Sequence, residues 1–209
     1  MGKTIRENKK EEIIEKKSKF IANLQYVSSV EEAEETLKEI KKQYRDARHN
    51  CFAYRVLENG QIIERMSDDG EPSGTAGGPI LNILAKKELI NVIVVVTRYF
   101  GGILLGTGGL VKAYSEATQK VLDVATYVIE EPGYVIEIEL DYAELEKCKY
   151  FCKKQELKII HIEYEQKVKI DLEVTFLQKE DLWKQFLEKD SLQFKVDNFQ
   201  VKTEKMIRR

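Results

Sequence analysis

Glycine is distributed very unevenly along this chain of 209 residues, and its distribution separates the sequence into two parts. Ten of the 12 glycines lie between Gly60 and Gly109, and none follows Gly133. Glycine permits backbone conformations that other residues avoid, so several tight turns are expected in the middle of the chain. Glu130-Glu131-Pro132-Gly133 is typical of a turn. We therefore predict two domains, at 1–131 and 132–209.

The hydrophobic pattern of the first part predicts a mixed α/β domain. Val92–Val96 is apolar at every position, which is typical of a strand that is buried on both faces. Ser29 and Glu32 form a capping box that predicts the start of an amphipathic helix. Asn59-Gly60 between two apolar segments predicts a β-hairpin. Two glycine-rich loops, the first at 67–78 and the second at 101–109, are each expected to lead into a further helix.

The second part alternates apolar and charged residues and has the element order of a ferredoxin-like domain. The predicted order is strand 134–141, helix 142–154, strand 157–164, strand 168–176, helix 179–189 and strand 192–202. An RNA-recognition sheet would carry stacking aromatic side chains at its outward positions. Here those positions are mostly charged, and they include Glu137, Glu139, Lys169, Asp171 and Glu173. The sequence therefore gives no support for an RNA-recognition sheet.

Composition and charge exclude several classes of protein. With 43% hydrophobic residues and only 3 prolines, the chain is neither disordered nor collagen-like. Basic and acidic residues number 19 and 20 up to Glu131 and 15 and 16 beyond it, so nucleic-acid binding would require a local patch. Three cysteines make no disulfide framework. The longest aliphatic run is far shorter than the roughly 20 residues of a membrane helix, and we expect a cytoplasmic protein that binds no membrane.

The second glycine-rich loop joins the buried strand to a helix and is a candidate binding site for an anion or a nucleic acid. Helix N-termini present unpaired N–H groups, and glycine lets an anion approach them. The candidate residues are Arg98, Gly101, Gly102, Gly106, Thr107, Gly108, Gly109 and Lys112. Thr107 stands where a Walker A loop requires lysine, and the dinucleotide fingerprint lacks its third glycine. Tight turns and helix packing explain the same glycines equally well, and both interpretations stay open.

The first glycine-rich loop places three carboxylates, Asp68, Asp69 and Glu71, within four residues. Such a cluster can hold Mg²⁺ or supply a general base. The interpretation we favour is an Asp-Gly turn in which Ser73 or Thr75 caps the following helix. We accordingly predict no metal site, no cofactor and no catalytic residue.

Histidine and cysteine residues are few, and they limit the chemistry that the chain can perform. His49 lies two positions before Cys51, so on a strand their side chains would share a face. Cys51 begins an apolar segment, which favours a core residue over a nucleophile. Cys148 and Cys152 lie one helical turn apart, and two thiols do not complete a zinc tetrahedron. We interpret both as core residues.

Four motifs together resemble those of the YigZ/IMPACT family. They lie at residues 48–54, 67–77, 96–102 and 105–114, and the resemblance covers about 16–127. It implies a fold class of α+β, with an N-terminal α/β domain like domain 2 of ribosomal protein S5. The second part is similar by pattern to the ferredoxin-like βαββαβ domain of bacterial members.

The resemblance also implies a role in translation. Eukaryotic relatives are associated with translational control and with the stress response, since they compete for the activator of a kinase that targets an initiation factor. Those relatives carry a further partner-binding domain, for which the residues before Lys16 leave no room. What carries over is therefore a contact with RNA, the ribosome or another translation component. By motif position, the implied functional surface comprises His49, Asp69, Glu71, Arg98, Gly101, Gly102 and Lys112. Asp68, Ser73 and Thr75 of the first glycine-rich loop are predicted to belong to the same functional surface.

Three functions follow from these observations, in order of preference. The first is a non-catalytic, translation-associated regulatory protein that binds RNA, the ribosome or a translation factor through its glycine-rich loops. The second is a protein-interaction module whose partner contacts the charged sheet face of the second part. The third is an enzyme or binding protein for a phosphorylated small molecule or nucleotide.

Overall fold

A computed structural model describes residues 2–187, 192 and 194–209, and it divides the chain into two units, 2–129 and 130–209. The first unit alternates strands and helices as the sequence predicts. Its elements are β1 (Gly2–Ile5), β2 (Lys9–Glu15), β3 (Ser18–Tyr26), α1 (Val30–Gln43), β4 (His49–Glu58), β5 (Gln61–Ser67), α2 (Gly77–Lys86), β6 (Val92–Tyr99) and α3 (Gly106–Asp123).

The central strand of the first unit is β6, and its sheet has the order β2-β3-β6-β4-β5. Both neighbours of β6 run antiparallel to it. Ile93 and Val95 pack in the cluster formed with α1, whereas Val92, Val94 and Val96 pack in the cluster formed with α2 and α3. The sheet is therefore covered by helices on both faces. This arrangement explains why the predicted strand has no polar residue from 92 to 96.

Local sequence rules account for most element boundaries in this unit. Ser29 caps α1, because its hydroxyl accepts a hydrogen bond of 3.1 Å from the Glu32 amide. The Glu32 carboxylate in turn accepts from the Ser28 amide at 2.6 Å. The predicted hairpin at Asn59-Gly60 is confirmed by the pairing of β4 with β5. The N-terminal strands β1 and β2 were not among the predicted elements.

The second unit is confirmed as ferredoxin-like in element order. Its elements are β7 (Tyr127–Leu140), which begins before the boundary, α4 (Leu145–Lys154), β8 (Lys158–Tyr164), β9 (Val168–Thr175), α5 (Phe176–Leu187) and β10 (Asn198–Arg208). The strands have the order β10-β7-β9-β8, and each adjacent pair is antiparallel. The thiols of Cys148 and Cys152 lie in the core of this unit, as predicted.

Two predictions for the second unit are wrong. Pro132-Gly133 does not form a turn but lies inside β7, where Gly133 pairs with Thr175. A Cβ atom on Gly133 would lie 2.5 Å from the Val174 carbonyl oxygen, so glycine is required by the close approach of β9. The last strand begins at Asn198 rather than at residue 192. Residues 188 and 189 of the predicted helix and residue 193 of the predicted strand lie outside the described residues.

Among the described helices, none combines the length and apolar character that crossing a membrane requires.

Candidate functional site

The first glycine-rich loop is fixed by the carboxylate of Asp68. One oxygen accepts hydrogen bonds from the Ala76 and Gly77 amides, each at 2.9 Å, and the other accepts from the Gly74 amide at 2.8 Å. Partial burial disfavours the charged carboxylate, but the three backbone donors outweigh that effect and lower the pKa of Asp68. Asp68 therefore satisfies the amides at the start of α2.

The predicted cap of α2 by Ser73 or Thr75 is wrong. The helix has Ala76 at its N-cap and no side-chain cap from that residue. The Thr75 hydroxyl instead donates to the Pro72 carbonyl oxygen at 2.6 Å, and Ser73 is exposed. Asp68 supplies the missing acceptor from several residues upstream, because the loop folds back on the helix start.

Asp69 connects the same loop to α1 and β4. Its carboxylate contacts the Lys41 ammonium at 2.7 Å and accepts from the Asn50 amide at 2.7 Å. The Asp69 carbonyl oxygen lies 2.9 Å from His49 Nδ1. Because a carbonyl only accepts, Nδ1 must carry the proton in this hydrogen bond. His49 thus positions the loop.

Glu71 forms a buried ion pair with Arg98 at the end of β6. Its Oε1 accepts from Arg98 Nη1 at 2.7 Å and from the Tyr114 hydroxyl at 2.8 Å. The side chains of Glu71 and Arg98 are only 4% and 7% exposed. The Arg98 guanidinium also lies 5.5 Å from the ring centroids of Phe20 and Phe100. One carboxylate therefore joins the first loop to β6 and to α3.

Cys51 lies under this network and is a core residue, as predicted. Its sulfur lies 2.9 Å from the Asp68 carbonyl oxygen and 3.3 Å from the Tyr114 hydroxyl. Burial raises the pKa of the Cys51 thiol to about 12, so the thiol is protonated at neutral pH. A protonated, buried thiol is a poor nucleophile.

The first loop is therefore a structural element whose polar groups contact the protein itself. All three carboxylates have cationic, hydroxyl or amide partners. Within the part of the chain that the structure describes, no three His, Cys, Asp or Glu side chains are grouped to hold a metal ion. The Arg98 guanidinium lies in a buried ion pair with Glu71, and its role in binding a phosphate stays a prediction.

The second glycine-rich loop is much more open. Gly102, Gly106, Thr107, Gly108 and Lys112 are exposed, and Gly109 is half-buried. The N-cap of α3 is Leu105, which provides no side-chain hydrogen bond to the helix start. A Cβ atom added at Gly102, Gly106 or Gly108 would meet no atom of the described residues within 4 Å. Ligand binding by these candidate residues stays a prediction.

Gly101 has a structural role within this loop. A Cβ atom at this position would lie 2.0 Å from the Lys17 carbonyl carbon, in the turn between β2 and β3. The Gly101 amide also donates to the Ser18 hydroxyl at 3.1 Å. The loop is therefore packed directly on the β2–β3 turn.

Sequence reasoning missed the apolar side chains that this loop exposes. Phe100 is 51% exposed, Ile103 42%, Leu104 83% and Val111 38%. Contiguous exposed apolar patches mark binding sites, and these four side chains lie within twelve residues of the chain. The signal was present in the sequence, because Ile103 and Leu104 lie between glycines and outside any periodic pattern.

The charged sheet face of the second unit is internally paired. Lys202 contacts Asp171 at 2.9 Å and Glu137 at 3.3 Å. Glu173 contacts both Lys158 and Lys205. The acidic side chains lie mostly beneath the lysines, so this face has little unbalanced charge. A partner for this face stays a prediction.

Comparisons with known proteins cover both parts of the chain. A family model described as the Impact N-terminal domain matches residues 16–122, and one described as a domain of unknown function (DUF1949) matches residues 138–186. IMPACT family member YvyE of Bacillus subtilis is 40% identical over 168 residues, which is 80% of this chain and 77% of the relative.

Further similarities agree with these matches. IMPACT family member YigZ of Escherichia coli is 38% identical over 152 residues, covering 72% of this chain and 74% of the relative. A solved structure described as a hypothetical protein is 30% identical, with a TM-score of 0.63 over 94% of this chain and 98% of that chain. The resemblance inferred from the four motifs is confirmed, and this chain belongs to the IMPACT family.

Proposed function

We propose that this protein is a non-catalytic regulator of translation, which binds a component of the translation apparatus through one exposed surface. We call this the 100–112 surface, and it comprises Phe100, Ile103, Leu104, Gly106, Thr107, Gly108, Val111 and Lys112. Family membership supports the translational role, since the family resemblance implies translational control. The observation that carries the binding role is the exposure of apolar side chains beside the open start of α3.

Binding without catalysis is supported by the state of the reactive groups in the first unit. The Cys51 thiol is buried and protonated, and the carboxylates of Asp68, Asp69 and Glu71 each contact two or more protein groups. His49 uses Nδ1 to hold the Asp69 carbonyl group. These groups serve the stability of the fold, which leaves the 100–112 surface as the better candidate for function.

The energetic argument concerns Leu104 in particular. Each Å² of apolar surface that is removed from water contributes about 25 cal/mol of favourable free energy. Leu104 gains little of this free energy in the isolated chain, because its side chain is 83% exposed. Burial against a partner would recover that contribution. The adjacent glycines let a partner approach the backbone amides of α3 closely.

The other two functions that the sequence suggested have weaker support. The lysines on the sheet face of the second unit are paired with carboxylates, which lowers their attraction for a charged partner. An enzyme acting on a phosphorylated compound would need Arg98 or the loop carboxylates, and these are held in the protein interior or by neighbouring amides.

The test is cosedimentation of the full-length chain with purified bacterial ribosomes, and pull-down with purified translation factors. We expect association that Leu104→Asp weakens by about tenfold, as for a central interface residue. Ile62→Asp is the matched control, because Ile62 is also exposed but lies on the edge strand β5. Failure to bind any of these components, or equal weakening by both variants, would overturn the proposal.

A further inference from the structure

The charges around the 100–112 surface identify the chemistry of its partner. Resting on the proposed function, we infer that this surface and the adjacent β2–β3 turn bind an acidic amphipathic protein segment, in which apolar side chains are flanked by carboxylates. The inference depends on three features, namely the packing of the turn against the loop, its unpaired lysines and the kind of apolar side chain exposed.

The β2–β3 turn lies beside the apolar loop in a fixed conformation. Lys16 and Lys17 have φ angles of 45° and 63°, so two consecutive residues adopt the left-handed conformation of a tight hairpin turn. Gly101 packs on the backbone of Lys17, and its amide is bonded to the Ser18 hydroxyl. Both lysines are therefore held next to the segment that carries Phe100 and Leu104.

The lysines around this surface have no acidic partner. Lys16, Lys17 and Lys112 are exposed, and none forms an ion pair among the residues that the structure describes. Other lysines nearby are neutralised, since Lys19 contacts Glu12 at 2.6 Å and Lys120 contacts Glu11 at 3.3 Å.

Two further carboxylates lie on the same elements. Glu15 precedes the turn, and Glu116 lies one helical turn beyond Lys112. Neither takes part in an ion pair within the described residues. Three unpaired cations against these two anions leave an excess of positive charge around the apolar side chains.

The exposed apolar side chains favour a protein segment over RNA. Single-stranded nucleic acid binds by stacking its bases on aromatic rings, and Phe100 is the one aromatic side chain on this surface. Ile103, Leu104 and Val111 are aliphatic, which suits the apolar face of an amphipathic helix. The surrounding lysines would then contact carboxylates on the flanks of that helix.

The experiment measures the binding of labelled synthetic peptides to the full-length chain by fluorescence anisotropy. The probe is a helical peptide with leucine at positions i, i+3, i+4 and i+7 and glutamate at most other positions. One control peptide replaces glutamate with lysine, and a second scrambles the acidic sequence. Vesicles of anionic lipid and poly(U) RNA are tested as competitors.

We expect the acidic amphipathic peptide to bind at least about tenfold more tightly than either control peptide. Leu104→Asp should abolish this preference, and Lys17→Glu with Lys112→Glu should weaken binding in a salt-dependent manner. Ile62→Asp and Lys38→Glu are matched controls, because Ile62 lies on an edge strand and Lys38 lies on α1, on the opposite face of the sheet from α3.

Three results would overturn this inference. They are equal binding of the acidic and basic peptides, displacement of the probe by poly(U) or lipid vesicles at lower concentration than by unlabelled peptide, and insensitivity to Leu104→Asp. If Leu104→Asp still reduces association with ribosomes or translation factors while no acidic peptide binds, the proposed function stands and only the partner chemistry is wrong.

Discussion

Replacing Glu71 with glutamine tests the importance of the buried ion pair in the first unit. Glu71→Gln keeps the side-chain shape and an oxygen for the Tyr114 hydroxyl, but it leaves the Arg98 guanidinium, 7% exposed, without a counter-charge. Breaking a buried ion pair by removing one partner costs about 3–5 kcal/mol. Because one hydrogen-bond acceptor remains, we expect a loss of about 3 kcal/mol in the free energy of unfolding.

The double variant Glu71→Gln/Arg98→Met separates the ion pair from the packing around it. Methionine retains contact with Phe20 and removes the buried cation. The double variant should therefore lose less stability than the sum of the single variants, with a coupling energy of about 2 kcal/mol. For Glu71→Gln alone, a loss of about 3 kcal/mol in the free energy of unfolding should lower the melting temperature by about 6–12 °C.

The assay is urea unfolding followed by far-UV circular dichroism, with tryptophan fluorescence as an internal control. Trp183 is the single tryptophan of the chain and packs in the second unit. Its transition should shift less than the circular dichroism signal, since the substitution lies in the first unit. A loss below about 1 kcal/mol for Glu71→Gln, or strictly additive single effects, would refute the argument that the pair is mutually dependent.

Four further predictions follow from the same structure. Because the folded pKa of Asp68 is lowered, its stabilisation is present above its unfolded pKa of about 3.9 and disappears as pH falls through the folded value. Asp68→Asn should therefore be less stable at pH 7 and lose less stability than the parent on acidification, as measured by urea unfolding. Cys51 should resist a thiol reagent at pH 8 in the folded chain and react after unfolding, because its pKa is about 12. Gly101→Ala should destabilise the chain in thermal unfolding, because its Cβ would collide with the Lys17 backbone. The segment 1–131, expressed alone, should give cooperative unfolding and dispersed NMR signals, since its two core clusters lie within residues 5–127.

Each of these predictions has a result that contradicts it. Equal acid sensitivity of Asp68→Asn and the parent would exclude a stabilising role for the charged carboxylate. Rapid labelling of Cys51 would show that the thiol is accessible, with the unfolded chain as the reference for complete reaction. Unchanged stability of Gly101→Ala, compared with alanine at the open position Gly108, would show that the turn moves freely. A molten or aggregated 1–131 segment would place the domain boundary elsewhere.

Hydrophobic patterns were sufficient to predict two kinds of element, those with one apolar face and those that are apolar on both faces. The strand at Val92–Val96 and the helix capped by Ser29 are local features, and both are confirmed. The strand β2 was missed because it lies at the sheet edge and its sequence, Lys9–Glu15, is mostly charged. Edge strands have few buried positions, so their hydrophobic pattern is weak.

The wrong predictions concern residues whose role depends on distant parts of the chain. Pro132-Gly133 has the local character of a turn, yet Gly133 is needed for the approach of β9. Capping rules consider the N-cap residue directly before a helix. Asp68 instead accepts from the Ala76 and Gly77 amides, which are 8 and 9 residues farther along the chain. Leu104 lies between glycines and outside any periodic pattern, but its exposure was established only by the structure, because solvent accessibility depends on the packing of the whole domain.

The carboxylates of the first glycine-rich loop have a consequence for how family motifs are interpreted. Asp68, Asp69 and Glu71 anchor one stretch of backbone to the start of α2, to α1 with β4, and to β6 with α3. A change in any of these side chains would loosen several layers of the domain at once. Selection for a foldable chain is thus sufficient to preserve a dense acidic motif, and such a motif would resemble an active site even in a lineage that never performed chemistry there.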